Sequence, residues 1–307
     1  MIGSGLGLGA GFLFKTGPEA NTSVIGLGGL RSDNGSRAAA AIVRLASPDN
    51  RWQIKAFAGK ADVIYELYTG LGAVPVRQES RLARINAAFG FTSELSAGIV
   101  LRYLETVLSP EGGLQPPSLQ PGTRLEIGTA GFSFDWDRRD DSDYPTEGTR
   151  MAAVATRSRT LGSLGRSYER GIATFDGYRP FGARSSLAVR GTVCAASSGT
   201  PFFDQCSIGA TDNMRGFNST KHLGLRMVSL QAEYRQRFSQ RWGGVVFAGT
   251  GRTGNRFADL AQDGSRSAAG AGVRYRVSKK FPVDFSIDIS RSNERETQLY
   301  IYVGQRF

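Results

Sequence analysis

The sequence predicts an all-β protein, a membrane-spanning antiparallel β-barrel of about 16 strands, of which about 15 lie within the 307 residues given. Three observations predict this class. Apolar and polar residues alternate with a period of two, the alternating segments follow one another along the chain, and the connections between them are short and long in turn. Each segment is about ten residues long, which a tilted strand needs to cross a bilayer.

The segment 227–238 shows the alternation most clearly. Its apolar positions are Val228, Leu230, Ala232, Tyr234 and Phe238, and its polar positions are Ser229, Gln231, Glu233, Arg235 and Arg237. Segments 267–277 and 283–290 alternate in the same way. A water-soluble β-sandwich also alternates, so the pattern alone does not separate the two classes. Charged residues on one parity of successive strands favour the barrel, because they would face a polar lumen.

Turns and loops are expected to alternate along the whole chain. Short turns are expected near residues 15–21, 48–50, 92–95, 140–148, 181–183, 239–241 and 278–282. Longer loops are expected near residues 32–36, 63–80, 110–122, 160–166, 196–225, 251–265 and 291–297. This order makes the first strand, Gly5 to Phe14, run from the outside to the periplasm. Because single-chain barrels begin in the periplasm and have an even strand count, we expect one strand and any leader to precede Met1.

The composition indicates a folded protein that does not bind nucleic acid. Hydrophobic residues at 40% and aromatic residues at 10% are too frequent for a disordered chain. The net charge of +11 comes from basic residues spread singly along the sequence, without the dense patch typical of a nucleic-acid interface. In an outer-membrane barrel such residues line the lumen or face phosphates. The expected partners are therefore outer-membrane lipid and lipopolysaccharide.

The two cysteines, Cys194 and Cys206, are twelve residues apart and separated by loop-forming residues. Their even number and their spacing fit a local disulfide in an oxidising compartment such as the periplasm or the cell surface. The alternative is a pair of unlinked thiols.

Residues that could carry enzymatic chemistry do not form a recognisable site. Gly249 to Gly254 match the glycine spacing of a dinucleotide loop, but a polar loop is expected to follow them instead of a helix. His222 is the only histidine, which argues against a His-rich metal site and a Ser-His-Asp triad. The carboxylates of residues 137–143 are expected to cap a turn or to pair with neighbouring arginines. We therefore expect no enzymatic activity, no cofactor and no metal.

Three blocks of sequence lie between residues 137 and 275, and their order and spacing are informative. The first is Asp137-Arg138-Arg139-Asp140-Asp141 followed by Tyr144-Pro145-Thr146-Glu147-Gly148, the second is Arg215-Gly216-Phe217, and the third is residues 244–251 followed by 270–275. Together they resemble the BamA/TamA superfamily, which includes outer-membrane assembly factors, two-partner secretion transporters and bacterial surface antigens. The family turn motif corresponds to Asp137, Arg139, Asp140, Tyr144, Pro145 and Gly148.

The resemblance implies that the loop bearing Arg215 folds into the lumen, where the arginine pairs with an acidic residue of the wall. Many relatives carry that acid at the position that Gly249 occupies here. By strand parity, the candidate partners are Glu233 and Asp288, with Asp284 behind them. The alternative is that Arg215 is a solvated loop residue.

The resemblance also implies a function. It implies a barrel that assists insertion or translocation of polypeptide or lipid. Because about 16 strands and their turns use the whole length, residues 1–307 are expected to form a single outer-membrane barrel domain without a POTRA domain or a passenger domain. The alternatives are the barrel of a patatin-like phospholipase autotransporter and a passive pore or surface antigen. Expected partners are a polypeptide client and the outer-membrane insertion machinery. That machinery would recognise a C-terminal signal that includes Gly304 and Phe307, unless these residues only end an ordinary final strand.

Overall fold

The computed structural model describes residues 5–69, 72–111, 122–162, 165–209, 214–262, 264–278 and 283–305. Within these residues, fifteen strands form one antiparallel sheet whose order follows the chain. The first ten are β1 (Gly5–Phe14), β2 (Ser23–Ser32), β3 (Arg37–Ala46), β4 (Trp52–Thr69), β5 (Gly72–Gly90), β6 (Leu95–Pro110), β7 (Thr123–Asp137), β8 (Gly148–Thr160), β9 (Ser167–Pro180) and β10 (Ser185–Ala196). The last five are β13 (Arg226–Arg237), β14 (Trp242–Gly254), β15 (Arg266–Arg276), β16 (Asp284–Ser292) and β17 (Thr297–Val303).

Two further strands, β11 (Cys206–Ser207) and β12 (Leu223–Gly224), pair with each other in the connection between β10 and β13. Short 3-10 helices cover Phe202–Asp204 and Ala258–Ala261. Within the described ranges, no helix is both long enough and apolar enough to cross a membrane.

The internal contacts of the chain divide it into two units. One comprises Met1–Ser133 and Ala155–Glu169, and the other comprises Phe134–Val154 and Arg170–Phe307. Residues of the proposed loop motif and of the family turn all belong to the second unit.

In the first unit, β4 and β5 are longer than the sequence predicts. They pair continuously from Trp52 opposite Phe89 to Thr69 opposite Gly72, so the predicted loop at 63–80 is wrong. Glycine and proline in this segment are typical of turns, but cross-strand polar contacts continue the pairing. Arg77 Nε donates to Asp62 Oδ1 at 2.9 Å, and the Tyr65 hydroxyl donates to Gln78 Oε1 at 2.7 Å.

In the second unit, β16 shows how the two faces of the sheet differ. Its polar residues Asp284, Ser286, Asp288 and Ser290 are at most 2% exposed, whereas Phe285, Ile287 and Ile289 are between 38% and 54% exposed. Strand β13 repeats the arrangement, with Glu233 at 1% and Leu230 at 53%. A sheet with one face in water buries its apolar face. The reversed burial here indicates an apolar environment around the exposed face.

Arginine substitutions along β13 test whether lipid surrounds this face. Leu230 lies near the middle of the strand, and Phe238, which is 65% exposed, lies just beyond its end. In lipid vesicles we expect Leu230→Arg to lower the free energy of unfolding by about 2–4 kcal/mol and Phe238→Arg by about 0–1 kcal/mol, because the cost of a charge falls toward the bilayer surface. Urea titration measures both values. Equal losses at the two positions would contradict a lipid-facing surface.

Candidate functional site

The connection from β10 to β13, residues 197–225, carries the predicted loop motif and is anchored at its base. A disulfide joins Cys194 of β10 to Cys206 of β11, with 5.7 Å between their Cα atoms. Both residues are fully buried in an apolar cluster with Ile208, Met214 and Phe217. The cross-link therefore fixes the start of the loop to the sheet.

Arg215 is 2% exposed and lies between two carboxylates that come from different strands. Its Nη2 donates to Oε2 of Glu233 on β13, and its Nη1 donates to Oδ2 of Asp288 on β16, each at 2.5 Å. The backbone N–H of Arg215 donates to Oε1 of Gln231 at 3.1 Å. The guanidinium carbon lies 3.5 Å from the centroid of the Phe247 ring, which adds a cation–π contact.

Two further arginines share these carboxylates. Arg274 Nη1 donates to Oδ1 of Asp288 at 2.5 Å, and Arg235 Nε donates to Oε1 of Glu233 at 2.7 Å. The Tyr302 hydroxyl also donates to Oδ2 of Asp288 at 2.7 Å. We call the set Arg215, Arg235, Arg274, Glu233 and Asp288 the arginine cluster. Its three guanidinium groups and two carboxylates leave one excess positive charge, and buried ions of this kind are stable only when they are paired.

Gly216 allows the loop to approach the sheet closely. Its φ is +115°, a conformation that favours glycine, and a Cβ at this position would overlap the Cβ of Ala268 on β15. The N–H of Gly216 donates to the hydroxyl of Tyr300 on β17 at 2.8 Å. The next residue, Phe217, is 2% exposed, and its ring lies edge-on to His222 with 5.3 Å between the centroids.

Asp284, the third candidate partner, lies in a separate ion-pair group. It pairs with Arg237 and with Arg276, whose Nε lies 3.3 Å from Asp284 Oδ1. The backbone N–H of Gly304 donates to the carbonyl of Asp284 at 2.7 Å. Phe307, the other residue of the predicted C-terminal signal, lies outside the described residues.

Gly249 lies where the resemblance described above would place an acid, and the space beside it is filled. A Cβ on Gly249 would lie 3.1 Å from Cγ of Met214 and 3.0 Å from the carbonyl oxygen of Leu230. A carboxylate here would therefore displace the Met214 side chain. Glu233 and Asp288 supply the acids from neighbouring positions on the same face of the sheet.

Sequence reasoning missed several residues of this site. Gln231, Phe247, Arg274, Tyr300 and Tyr302 all contact Arg215, Gly216 or their acidic partners. Each lies on the inward parity of its strand, as Glu233 and Asp288 do. Strand parity could therefore have identified them, but only acidic residues were considered as partners of Arg215.

A family model described as the Omp85 superfamily domain matches residues 66–307, which is more than half of the chain. The chain belongs to the Omp85 superfamily. The family predicted from the three sequence blocks is thereby confirmed. No curated protein sequence matches the chain.

Solved structures show the same fold. BamA from Haemophilus ducreyi lacking POTRA domains 1–3 is 15% identical with a TM-score of 0.60, and the match covers 98% of this chain and 70% of that one. CdiB from Escherichia coli is 13% identical with a TM-score of 0.62, covering 97% and 58%. CdiB from Acinetobacter baumannii is 10% identical with a TM-score of 0.60, covering 97% and 55%. The chain thus spans little more than half the length of the two CdiB proteins. The predicted fold class, an outer-membrane β-barrel, is confirmed.

In this Omp85 chain, hydrogen bonds within the turn between β7 and β8 fix its shape. Arg139 donates two hydrogen bonds to Asp137, at 2.7 Å from Nε and 2.6 Å from Nη2. Asp140 Oδ1 accepts the N–H groups of Thr146 at 2.9 Å and Glu147 at 3.1 Å. Burial alone would raise the pKa of Asp140, but hydrogen bonds, the largest from the Thr146 side chain, outweigh burial and lower it. Gly148 ends the turn with a φ of +100°.

Tyr144 and Pro145 bind this turn to the arginines of the sheet. The guanidinium carbons of Arg237 and Arg276 lie 4.4 Å and 4.9 Å from the centroid of the Tyr144 ring. The carbonyl of Pro145 accepts a hydrogen bond from Arg235 Nη1 at 3.1 Å. Because Arg235 also donates to Glu233, one guanidinium links the family turn to the arginine cluster.

A second ionic contact holds the Omp85 loop to the connection between β16 and β17. Lys221 Nζ lies 2.6 Å from Glu294 Oε2 and 2.5 Å from Glu296 Oε1. His222 Nε2 lies 3.1 Å from Glu294 Oε2. Burial, together with the positive charges of Arg266 and Lys221, lowers the pKa of His222 although Glu294 raises it, so this imidazole is neutral at neutral pH and Lys221 supplies the cation. In the part of the chain that the structure describes, no group of three or more His, Cys, Asp or Glu side chains is placed to hold a metal ion.

Substitutions of Arg215 and Glu233, which form one ion pair, test how the charges of the arginine cluster contribute to stability. Arg215→Met leaves both carboxylates paired with Arg274 and Arg235, so we expect the free energy of unfolding to fall by about 1.5–3 kcal/mol. Glu233→Gln leaves the buried arginines with a single carboxylate, and we expect a larger loss of about 3–5 kcal/mol. Urea unfolding in lipid vesicles measures both.

Arg256→Met is the matched control for this comparison. Arg256 pairs with Asp259, but its side chain is 82% exposed, so we expect no measurable loss. If Arg215→Met and Glu233→Gln lowered the free energy of unfolding no more than this control does, the cluster would not contribute to stability.

The disulfide is expected to stabilise the barrel by restricting its unfolded chain. Its two cysteines are 12 residues apart, and closing a loop of this size contributes about 3 kcal/mol. We expect the double variant Cys194→Ala, Cys206→Ala to lose this amount in urea unfolding. A reducing agent should destabilise the wild type to the same extent and leave the double variant unchanged. If the reducing agent also destabilised the double variant, the effect of the reducing agent would have a cause other than the disulfide.

Proposed function

We propose that this Omp85 barrel assists insertion or translocation of polypeptide at the outer membrane and that the loop bearing Arg215 acts as its gate. The observation that carries the proposal is the burial of Arg215 between Glu233 and Asp288. Those acids belong to β13 and β16, so the loop bridges separate strands of the polar face. A polypeptide that moves along this face has to displace the loop.

The charges of the arginine cluster support a loop that can leave its site. When Arg215 is withdrawn, Glu233 keeps its hydrogen bond from Arg235, and Asp288 keeps those from Arg274 and Tyr302. The sheet then retains two guanidinium groups and two carboxylates, which balance. The polar face is therefore compatible with both loop positions, as a two-state gate requires.

The disulfide and the contacts of Lys221 define which part of the loop moves. Cys206 is tied to β10, and Lys221 is held by Glu294 and Glu296 at the exposed end of β16 and β17. The segment between these anchors carries Arg215, Gly216 and Phe217. This segment is the proposed gate, and the rest of residues 1–307 forms the proposed single barrel domain. Its partners are a polypeptide client and the insertion machinery.

Deleting the gene tests the proposed activity. We expect one or a few outer-membrane or secreted proteins to disappear from the cell surface, because their route to it is lost. Quantitative mass spectrometry of surface and secreted fractions measures this loss. Wild type and Arg256→Ala should restore the missing proteins. An unchanged protein set after deletion would instead favour a passive pore or surface antigen and would contradict the proposal.

Conductance across planar bilayers tests the gate separately. We expect the wild type and Arg256→Ala to be closed and Arg215→Ala to open, because the variant loses both ion pairs that hold the loop. An open wild-type channel would exclude a gating role for the Arg215 loop without affecting the result of the deletion experiment.

A further inference from the structure

A groove of about 890 Å³ crosses the exposed face of the second unit, on the side opposite to the arginine cluster. Its large apolar walls are Phe134, Met151, Phe175, Val193, Val228 and Leu230. Phe175, Val193 and Leu230 are 42%, 45% and 53% exposed, whereas the residues that follow or precede them in the strands point to the buried polar face. The groove therefore lies on the surface that the outer membrane covers.

The floor of the groove is open because Gly191 has no side chain. The strand register sets Gly191 of β10 between Phe175 of β9 and Leu230 of β13. A Cβ on Gly191 would have nothing within 4 Å. Since neighbouring strands lie about 4.8 Å apart, the two large side chains flank a gap about 10 Å wide between their backbones. An extended hydrocarbon chain fits such a gap.

One end of the groove is polar and cationic. Arg252 lines it together with Thr250 and Ser265. Arg252 lies opposite Val228 in the register, and Arg226 lies two residues from Val228 on the same face. Each arginine donates to a backbone carbonyl, Arg252 to Leu260 at 2.7 Å and Arg226 to Ala196 at 2.5 Å.

Neither arginine is neutralised by the protein in the described part of the chain. Among those residues, no carboxylate lies within 4.0 Å of the guanidinium of Arg226 or Arg252. An arginine on a lipid-facing surface is costly in the bilayer and tolerated near its boundary. There it can bind phosphate through two parallel hydrogen bonds. The pair therefore has the charge that an anionic lipid head group would complement.

The ends of the strands identify the leaflet. Arg226 and Arg252 lie beside the connections 197–225 and 255–265, whereas the opposite ends of β13 and β14 are joined by the short segment 238–241. Long connections mark the outer side of bacterial barrels. The outer leaflet there is built of lipopolysaccharide, whose lipid A part carries phosphate groups and several acyl chains.

We propose that this groove binds lipid A, with an acyl chain lying over Gly191 and a phosphate held by Arg226 and Arg252. Three independent features of this surface support such binding, namely an apolar channel, a missing side chain in its floor and two arginines at its outer end that have no carboxylate partner among the described residues. It does not depend on the loop or on the proposed gate.

Binding of lipid A to the purified full chain in detergent micelles tests the proposal by native mass spectrometry. We expect one lipid A to bind to the wild type. Gly191→Leu fills the floor, and Arg226→Gln with Arg252→Gln removes the phosphate ligands. The double arginine change should weaken binding by at least about tenfold, because hydrogen bonds to charged groups contribute that much. Gly191→Leu should weaken binding by about tenfold or more, because the added side chain takes the place of several methylene groups of the acyl chain.

Two controls lie on the same exposed face. Ala248→Leu places a leucine on β14 outside the groove, and Arg179→Gln removes an exposed arginine at the opposite end of β9. Both should bind lipid A as the wild type does. Equal affinity in all variants would overturn the proposal. So would equal binding of dephosphorylated lipid A, or binding of phosphatidylglycerol as tight as that of lipid A, which would indicate a general phospholipid surface.

Discussion

The pairing of one buried guanidinium constrains much of the second unit. Arg215 can be buried only where carboxylates reach it, and Glu233 and Asp288 reach it from β13 and β16. To bring Arg215 that close, the loop must lie against the sheet, which requires Gly216 opposite Ala268. Because the loop lies this close to the sheet, the Met214 side chain fills the space beside Gly249. The absence of an acid at position 249 is therefore part of the same packing arrangement.

The excess positive charge distinguishes this site from a simple buried salt bridge. In an isolated pair, removing one partner leaves an unpaired ion in a region of low dielectric constant. Here Arg235 and Arg274 already neutralise Glu233 and Asp288. Arg235 is held in turn by the carbonyl of Pro145 in the family turn. The wall of the site is thus preorganised without the loop, and the contribution of Arg215 is confined to holding the loop itself.

Strand parity predicted the inward faces well because it depends only on local sequence. It identified Glu233 and Asp288, and also Asp284, which has the same parity. Asp284 is four residues from Asp288, or about 13 Å along the strand, so it meets Arg237 and Arg276 instead of Arg215. Strand parity does not predict how far along the strands Arg215 lies, because that position depends on how the loop packs against the sheet. The same limit explains the segment 63–80, where turn-forming residues lie within paired strands.

The arginine cluster and the outer groove depend on one register. Because successive residues of a strand point to opposite faces, a slip of one residue in β13 would turn Glu233 toward lipid and Leu230 toward the polar face. Two contacts oppose this slip at opposite ends of the strand. Met227 of β13 is buried in the apolar cluster that contains the disulfide, and Arg235 donates to the carbonyl of Pro145. The cross-link and the family turn therefore preserve the polar site and the apolar groove together, although neither the disulfide nor the turn lines the groove.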